Sequence, residues 1–217
     1  MSSAHANEHE HAHHFRDAEH QFQTNKQGMW LFLLQEVLFF APLFVGYIIF
    51  KFIYFDSFHY ASKQLDWVLG SVNTVILIVS SFTVARAISS AQRGNQTGVI
   101  ENLVFTLICG LGFMAVKAIE YSHKIHDGLL PGPLFTNTAM LEVAPEAPLF
   151  FTFYFCMTGL HALHVVGGLV VFVWLIKRAK RGEFGPGYYT PLELTGLYWH
   201  FVDLVWIFLF PLLYLVG

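Results

Sequence analysis

Glu36 stands alone as a charge within Gly28-Met29-Trp30-Leu31-Phe32-Leu33-Leu34-Gln35-Glu36-Val37-Leu38-Phe39-Phe40. On a helix it lies about 12 Å beyond Gly28, with Phe32, Leu33, Phe39 and Phe40 as helical neighbours. A carboxylate in such surroundings is costly, so desolvation favours the neutral acid. A buried carboxyl of this kind can hold and release protons or react as an acid. It can equally be a neutral acid hydrogen-bonded across a helix interface, and the residues alone leave both open.

Three further pairs of polar residues recur at a spacing of three, which places each pair on one helix face. Lys117 and Glu120 are suited to pair structurally near one end of an apolar run. His161 and His164 fall in Thr158-Gly159-Leu160-His161-Ala162-Leu163-His164-Val165, with Gly168 one turn beyond offering close helix contact. His200 and Asp203 fall in Tyr198-Trp199-His200-Phe201-Val202-Asp203-Leu204-Val205-Trp206, where the carboxyl can accept from the imidazole. Haem or metal ligation would need facing imidazoles, and only His200 is available to face His161 and His164. Hydrogen bonds between helices or to lipid head-groups are the expected use of these side chains, and no metal site is expected. Asn73 with Ser80, Thr74 with Ser81, and Trp199 with Trp206 repeat at seven and form stripes suited to interhelical contact.

His5, His9, His11, His13, His14 and His20 make a histidine-rich N-terminal tract that is expected to be a disordered or partner-ordered tail. Cys109 and Cys156 lie in apolar stretches and are expected to be buried free thiols. Walker loops, dinucleotide fingerprints, Cys-Xaa-Xaa-Cys pairs and nucleophile elbows are absent from the sequence. No cleavable signal peptide is expected, since residues 1–27 are polar.

The elements that position these residues follow from composition. Of 217 residues, 55% are hydrophobic and 12% charged, and mean hydropathy is +0.51. Soluble domains carry about 25% charge, so lipid is the expected solvent. Net charge is −3, which gives nucleic acid no basic patch to bind. Apolar runs at 29–50, 67–85, 99–116, 147–176 and 194–217 each approach or exceed the length needed to cross the hydrocarbon. They lack the polar alternation of barrel strands. The sequence therefore predicts an all-α polytopic membrane protein, with five transmembrane helices in a bundle over about 29–52, 66–88, 98–121, 147–177 and 192–216. Residues 1–27 are the expected cytoplasmic tail and 28–217 the membrane domain. The connection 122–146 is broken by Pro131, Gly132, Pro133 and Pro145 and carries Asp127, Glu142 and Glu146. It is either a solvated connector or a surface for a partner subunit.

Basic residues orient the bundle. Arg16, Lys26, Arg86, Arg93, Lys177, Arg178, Lys180 and Arg181 fall on one side, and Lys51, Lys63, Lys117 and Lys124 on the other. The positive-inside rule puts the N-terminus in the cytoplasm and the C-terminus outside.

Taken in order, these motifs resemble subunit III of the haem–copper oxidases, the cytochrome c oxidase class. The carriers are Gly28-Met29-Trp30 through Glu36 to Phe40, Asn73-Thr74 with Ser80-Ser81, Glu120-Tyr121, Thr158 to Val165, and Tyr198 to Trp206. The resemblance spans all five runs and matches the short bacterial form, which lacks the first two helices of the seven-helix form. Those two helices form a lipid-holding cleft against the others, so here that cleft is incomplete or completed by another chain.

The resemblance implies an accessory, non-redox subunit of a proton-pumping terminal oxidase of aerobic respiration, in the bacterial inner membrane, periplasmic at its C-terminus. It implies docking on subunit I, association with subunit II and other respiratory subunits, support of proton uptake and protection against turnover inactivation. Haem and copper belong to the partner subunits, and bound phospholipid is expected. The family's carbodiimide-reactive carboxyl falls on Glu36. Glu120, His161, His164, His200 and Asp203 fall on its intramembrane polar positions, at helix contacts and lipid sites. Subunit III of a quinol oxidase and the accessory subunit of a nitric oxide reductase are near alternatives. A stand-alone transporter using Glu36, Lys117, Glu120 and Asp203 is a distant one, because internal repeats and broken helices are missing.

Overall fold

Residues 18–215 are described in the computed structural model, and five of their helices are long and apolar enough to cross a membrane. These are α1 (Ala18–Ile53), α3 (Trp67–Gln92), α4 (Gln96–His126), α6 (Ala147–Lys180) and α7 (Thr190–Phe210). Two short helices, α2 (Phe55–Ser62) and α5 (Thr138–Val143), sit in the connections. The histidine tract from His5 to His14 lies outside the described residues.

Helix starts are written locally. The Asp66 carboxylate accepts from the Val68 and Leu69 N–H groups at the head of α3. Asn95 caps α4 through Gly98 N–H, and Asn137 caps α5 through Met140 N–H. Each satisfies donors that a first turn leaves orphaned. Gly94 and Gly182 follow the ends of α3 and α6 with φ of 72° and 75°, a left-handed conformation that a Cβ resists.

The bundle is built around α7. It packs on α3, α6 and α1, while α4 closes the opposite side against α3 and α6. In its most apolar window 44% of α7 is buried, against 17% of α1, so α1 lies at the rim. Polar residues share the interior with an apolar core, and large apolar side chains also cover the outside. Asn73, Ser80, Thr106, Lys117, Glu120, Thr158, His161 and Asp203 are buried, whereas Leu31, Leu38, Ile49, Phe82, Leu163 and Val170 are exposed. Hydrocarbon suits those apolar surfaces, and the polar groups face the bundle interior.

The structure departs from the expected boundaries at several places. Helix α1 begins at Ala18, eleven residues before the expected span, because nothing from there to Gly28 breaks a helix. Its extra turns are held by Lys26, whose Nζ lies 2.7 Å from Glu193 Oε1 on α7. The connection after α1 carries the short helix α2. In α2, Phe58 is buried, with ring centroids 5.6 Å from both Tyr47 and Phe150. Beyond α7 the chain continues through Pro211–Leu215 as a π-helical turn. Proline supplies no N–H and crowds the carbonyl four residues back, which favours widening of the turn. The Tyr47 hydroxyl fastens it, donating to the Leu212 carbonyl at 3.1 Å.

Candidate functional site

Glu36 meets His164. The carboxyl Oε2 on α1 lies 2.9 Å from imidazole Nε2 on α6. His164 Nδ1 is 2.8 Å from the Leu160 carbonyl one turn earlier, and the Tyr198 hydroxyl of α7 donates to the His164 carbonyl at 2.9 Å. Phe40 covers the imidazole at a centroid distance of 5.1 Å. Three helices thus converge on one carboxyl–imidazole pair. Its side chains keep 12% and 15% exposure, so the pair lies close to the bundle surface and is not sealed. An apolar cleft of about 330 Å³ runs on from it between α1 and α7, lined by Val37, Phe40, Phe44, Phe201, Leu204 and Phe208 among others.

A second polar centre is fully enclosed. Lys117 Nζ donates to Glu120 Oε2 at 2.9 Å, to Tyr214 Oη at 3.0 Å and to Tyr154 Oη at 3.2 Å. Both tyrosine hydroxyls in turn donate to Glu120 Oε1, from 2.9 Å for Tyr154 and 2.6 Å for Tyr214. The three ammonium donors and both carboxylate oxygens are therefore occupied, the condition under which a buried ion pair is tolerable. Aromatic faces complete the shell, with the ammonium 5.0 Å from the Tyr154 ring and 5.3 Å from the Trp206 ring. The pair expected from the spacing of three is formed. Tyr154 and Tyr214 could not be foreseen, for they lie 34 and 94 residues from Glu120.

Along the α3–α7 seam the sevenfold stripes meet. Trp199 Nε1 donates to Ser80 Oγ at 2.9 Å and Trp206 Nε1 to Thr74 Oγ1 at 3.0 Å. One expectation is corrected here. His200 does not bond Asp203; its Nδ1 lies 2.5 Å from Ser81 Oγ. Asp203, 3% exposed, sits near Ser81 but neither carboxyl oxygen has a hydrogen bond of good geometry. Residues three apart are about 60° short of eclipsed on a helix, enough here for His200 to reach sideways to α3 while Asp203 turns into the core. The same offset separates His161 from His164. His161 is wholly buried between Phe113 and Trp206, at centroid distances of 5.5 and 5.2 Å, and both its ring nitrogens are unpaired.

The cysteines also differ from expectation, since Cys109 is only partly buried and Cys156 is exposed on α6. Lipid accepts a thiol as readily as a packed core does. Among the described residues, no three His, Cys, Asp or Glu side chains are gathered to hold a metal ion.

The family profile described as Cytochrome c oxidase subunit III matches residues 9–217. A probable cytochrome c oxidase subunit 3 of Nocardia farcinica is 33% identical over 189 residues, covering 87% of this chain and 86% of the relative. A quinol oxidase subunit 3 of Bacillus subtilis is 30% identical over 219 residues, covering 96% and 98%. A cytochrome bo(3) ubiquinol oxidase subunit 3 of Pseudomonas putida is 31% identical over 200 residues, covering 90% and 87%.

Proposed function

The chain belongs to the cytochrome c oxidase subunit III family of haem–copper oxidases, and from that membership we propose that it is the accessory, non-redox subunit III of a proton-pumping cytochrome c oxidase. In this role it docks on subunit I in the bacterial inner membrane, beside subunit II, and carries no haem or copper. The observation that carries the proposal is the match along nearly the whole five-helix chain to oxidase third subunits. The histidines support it. His164 is committed to Leu160 and Glu36, and His200 lies against Ser81. His161 is enclosed by aromatic rings.

Docking through α1 is supported by its exposure. Leu31, Leu34 and Leu38 are exposed on this helix, and so is the amide of Gln35 beside Glu36. An amide facing hydrocarbon lacks partners that an adjoining protein helix would provide. The basic loop around Lys177–Arg181 supports a cytoplasmic N-terminus. Glu36 is then the proton-active, carbodiimide-reactive carboxyl of the subunit. Glu120, His161, His164, His200 and Asp203 serve helix contacts and adjoining lipid.

The relatives include both cytochrome c and quinol oxidase subunits, so electron donor is the point at which a quinol oxidase remains the second candidate. Purification of the tagged chain in mild detergent tests both levels. Co-purifying haem-containing subunits, with oxygen uptake driven by reduced cytochrome c, are expected. Uptake driven by quinol alone would shift the assignment to a quinol oxidase. A chain that emerges without haem would overturn the proposal.

A further inference from the structure

Most buried polar side chains of this bundle are paired, and the exceptions gather in one place. Among the described residues, seven buried side-chain nitrogen and oxygen atoms have no hydrogen-bond partner: two each on Asn73, His161 and Asp203, and one on Glu193. Asn73 and His161 are 0% exposed and Asp203 is 3% exposed, so the bundle encloses all three.

Helix register brings these three to one depth. Trp206 bonds Thr74 and Trp199 bonds Ser80, so α3 and α7 run antiparallel and Asp203 falls level with Leu77, about one turn from Asn73. The His161 ring lies 5.2 Å from that of Trp206, whose N–H reaches Thr74, the neighbour of Asn73. Helices α3, α6 and α7 thus each bring one unpaired side chain to the same layer of the interior. Lys117 adjoins this layer, its Nζ 5.3 Å from the Trp206 ring.

The chemistry of these atoms selects what can satisfy them. Asn73 Nδ2 only donates, Asn73 Oδ1 only accepts, a neutral imidazole does one of each, and ionised carboxylate oxygens accept. A cation would serve the acceptors alone and would face the Lys117 ammonium. An anion would serve the donors alone and would meet the Asp203 carboxyl. Water is neutral, donates and accepts, and a buried water bonds about three otherwise unpaired polar groups. Leaving such groups unpaired inside a bundle is costly.

We infer that the interior between α3, α6 and α7 binds a small cluster of water at the depth of Trp206, with Asn73, His161 and Asp203 as its protein ligands. Ser81 lies near Asp203, and its Oγ contacts His200, which is only half-buried. The α3–α7 seam is therefore the polar way by which this water exchanges with the bundle surface. The site is independent of the electron donor and of the subunit assignment.

Radiolytic hydroxyl-radical footprinting of the purified complex tests this, because a bound water converted to a radical labels the side chain beside it where bulk solvent has no access. Phe113, 5.5 Å from the His161 ring, and Phe172, packed on Trp199 at 4.9 Å, are both 0% exposed. Labelling is expected at Phe113 and Trp206 and not at Phe172. In Asn73→Leu and in His161→Phe, which each remove a water ligand, labelling of Trp206 is expected to fall several-fold. An unlabelled Phe113 and Trp206, or equal labelling of Phe172, overturns the inference. Unchanged labelling in both variants overturns the assignment of the ligands. If a variant does not assemble, the comparison of Phe113 with Phe172 in the unmodified protein still decides.

Discussion

The Tyr214 hydroxyl donates to Glu120 Oε1 across 2.6 Å, pinning the C-terminal π-helical turn to α4. The Tyr214 hydroxyl oxygen itself accepts from Lys117 Nζ at 3.0 Å. Tyr214→Phe therefore weakens both members of an enclosed ion pair. Hydrogen bonds to charged groups contribute about 1.5–3 kcal/mol, and a loss of that order is expected in the thermal stability of the purified complex. Tyr47→Phe removes only a neutral bond to the Leu212 carbonyl and should cost about 0.5–1.5 kcal/mol. Equal midpoints for the two variants would contradict the network described here.

Removing one charge of the Lys117–Glu120 pair leaves the other buried and unpaired. Lys117→Met or Glu120→Leu alone should each destabilise by about 3–5 kcal/mol. The double substitution should cost clearly less than the sum of the singles, because no uncompensated charge remains. Additive losses in a denaturation series would show that the pair is not the unit drawn from its geometry.

Two glycines separate close packing from open space. A Cβ at Gly168 would stand 2.6 Å from Trp199 Cζ3, whereas one at Gly112 meets nothing within 4 Å. Gly168→Ala should cost about 1–3 kcal/mol through overpacking. Gly112→Ala should be neutral or stabilise by up to about 1 kcal/mol. Comparative melting of the two variants checks the α6–α7 approach directly.

Glu36→Gln keeps the shape of the acid and an amide that can still meet His164. Assembly with the haem-bearing subunits is expected to persist, and labelling by a hydrophobic carbodiimide to disappear. Labelling that survives the substitution would move the reactive carboxyl elsewhere in the bundle.

Gln35→Leu addresses the exposed side of α1. If that amide bonds a neighbouring subunit, its loss removes about 0.6–2 kcal/mol, which is roughly threefold to thirtyfold in retention of the partner. Titration with detergent, following haem bound per chain, measures it. Unchanged retention would place the partner on another helix.

Much of this architecture was legible in the sequence, because hydrocarbon demands long uninterrupted apolar runs and punishes every exception. The five spans follow from that demand, and so does the prominence of Glu36. Local spacing also foretold Lys117 with Glu120. What local spacing cannot carry is the choice among partners on other helices. Glu36 finds His164 across 128 residues, and His200 prefers Ser81 to the Asp203 three places away. These choices depend on how α1, α3 and α7 rotate against one another, which is settled by packing over the whole bundle. Helix α2 escaped notice for a different reason. It buries only Phe58, Ala61 and Ser62, too few positions for a clear period.

The separation of Glu36 from His164 also has a consequence for biosynthesis. Helix α1 leaves the ribosome before α6, so its carboxyl is made while its imidazole partner is still unmade. At about 5–20 residues per second the interval is roughly 6–25 s. For that time the acid has no acceptor of its own chain's making. The nascent helix must wait at the translocation machinery, keep its carboxyl near the polar surface, or borrow a chaperone's side chain. Maturation of this protein is thereby tied to the late arrival of α6, and a pause in translation before residue 164 would strand an unfinished chain with its acid unmet.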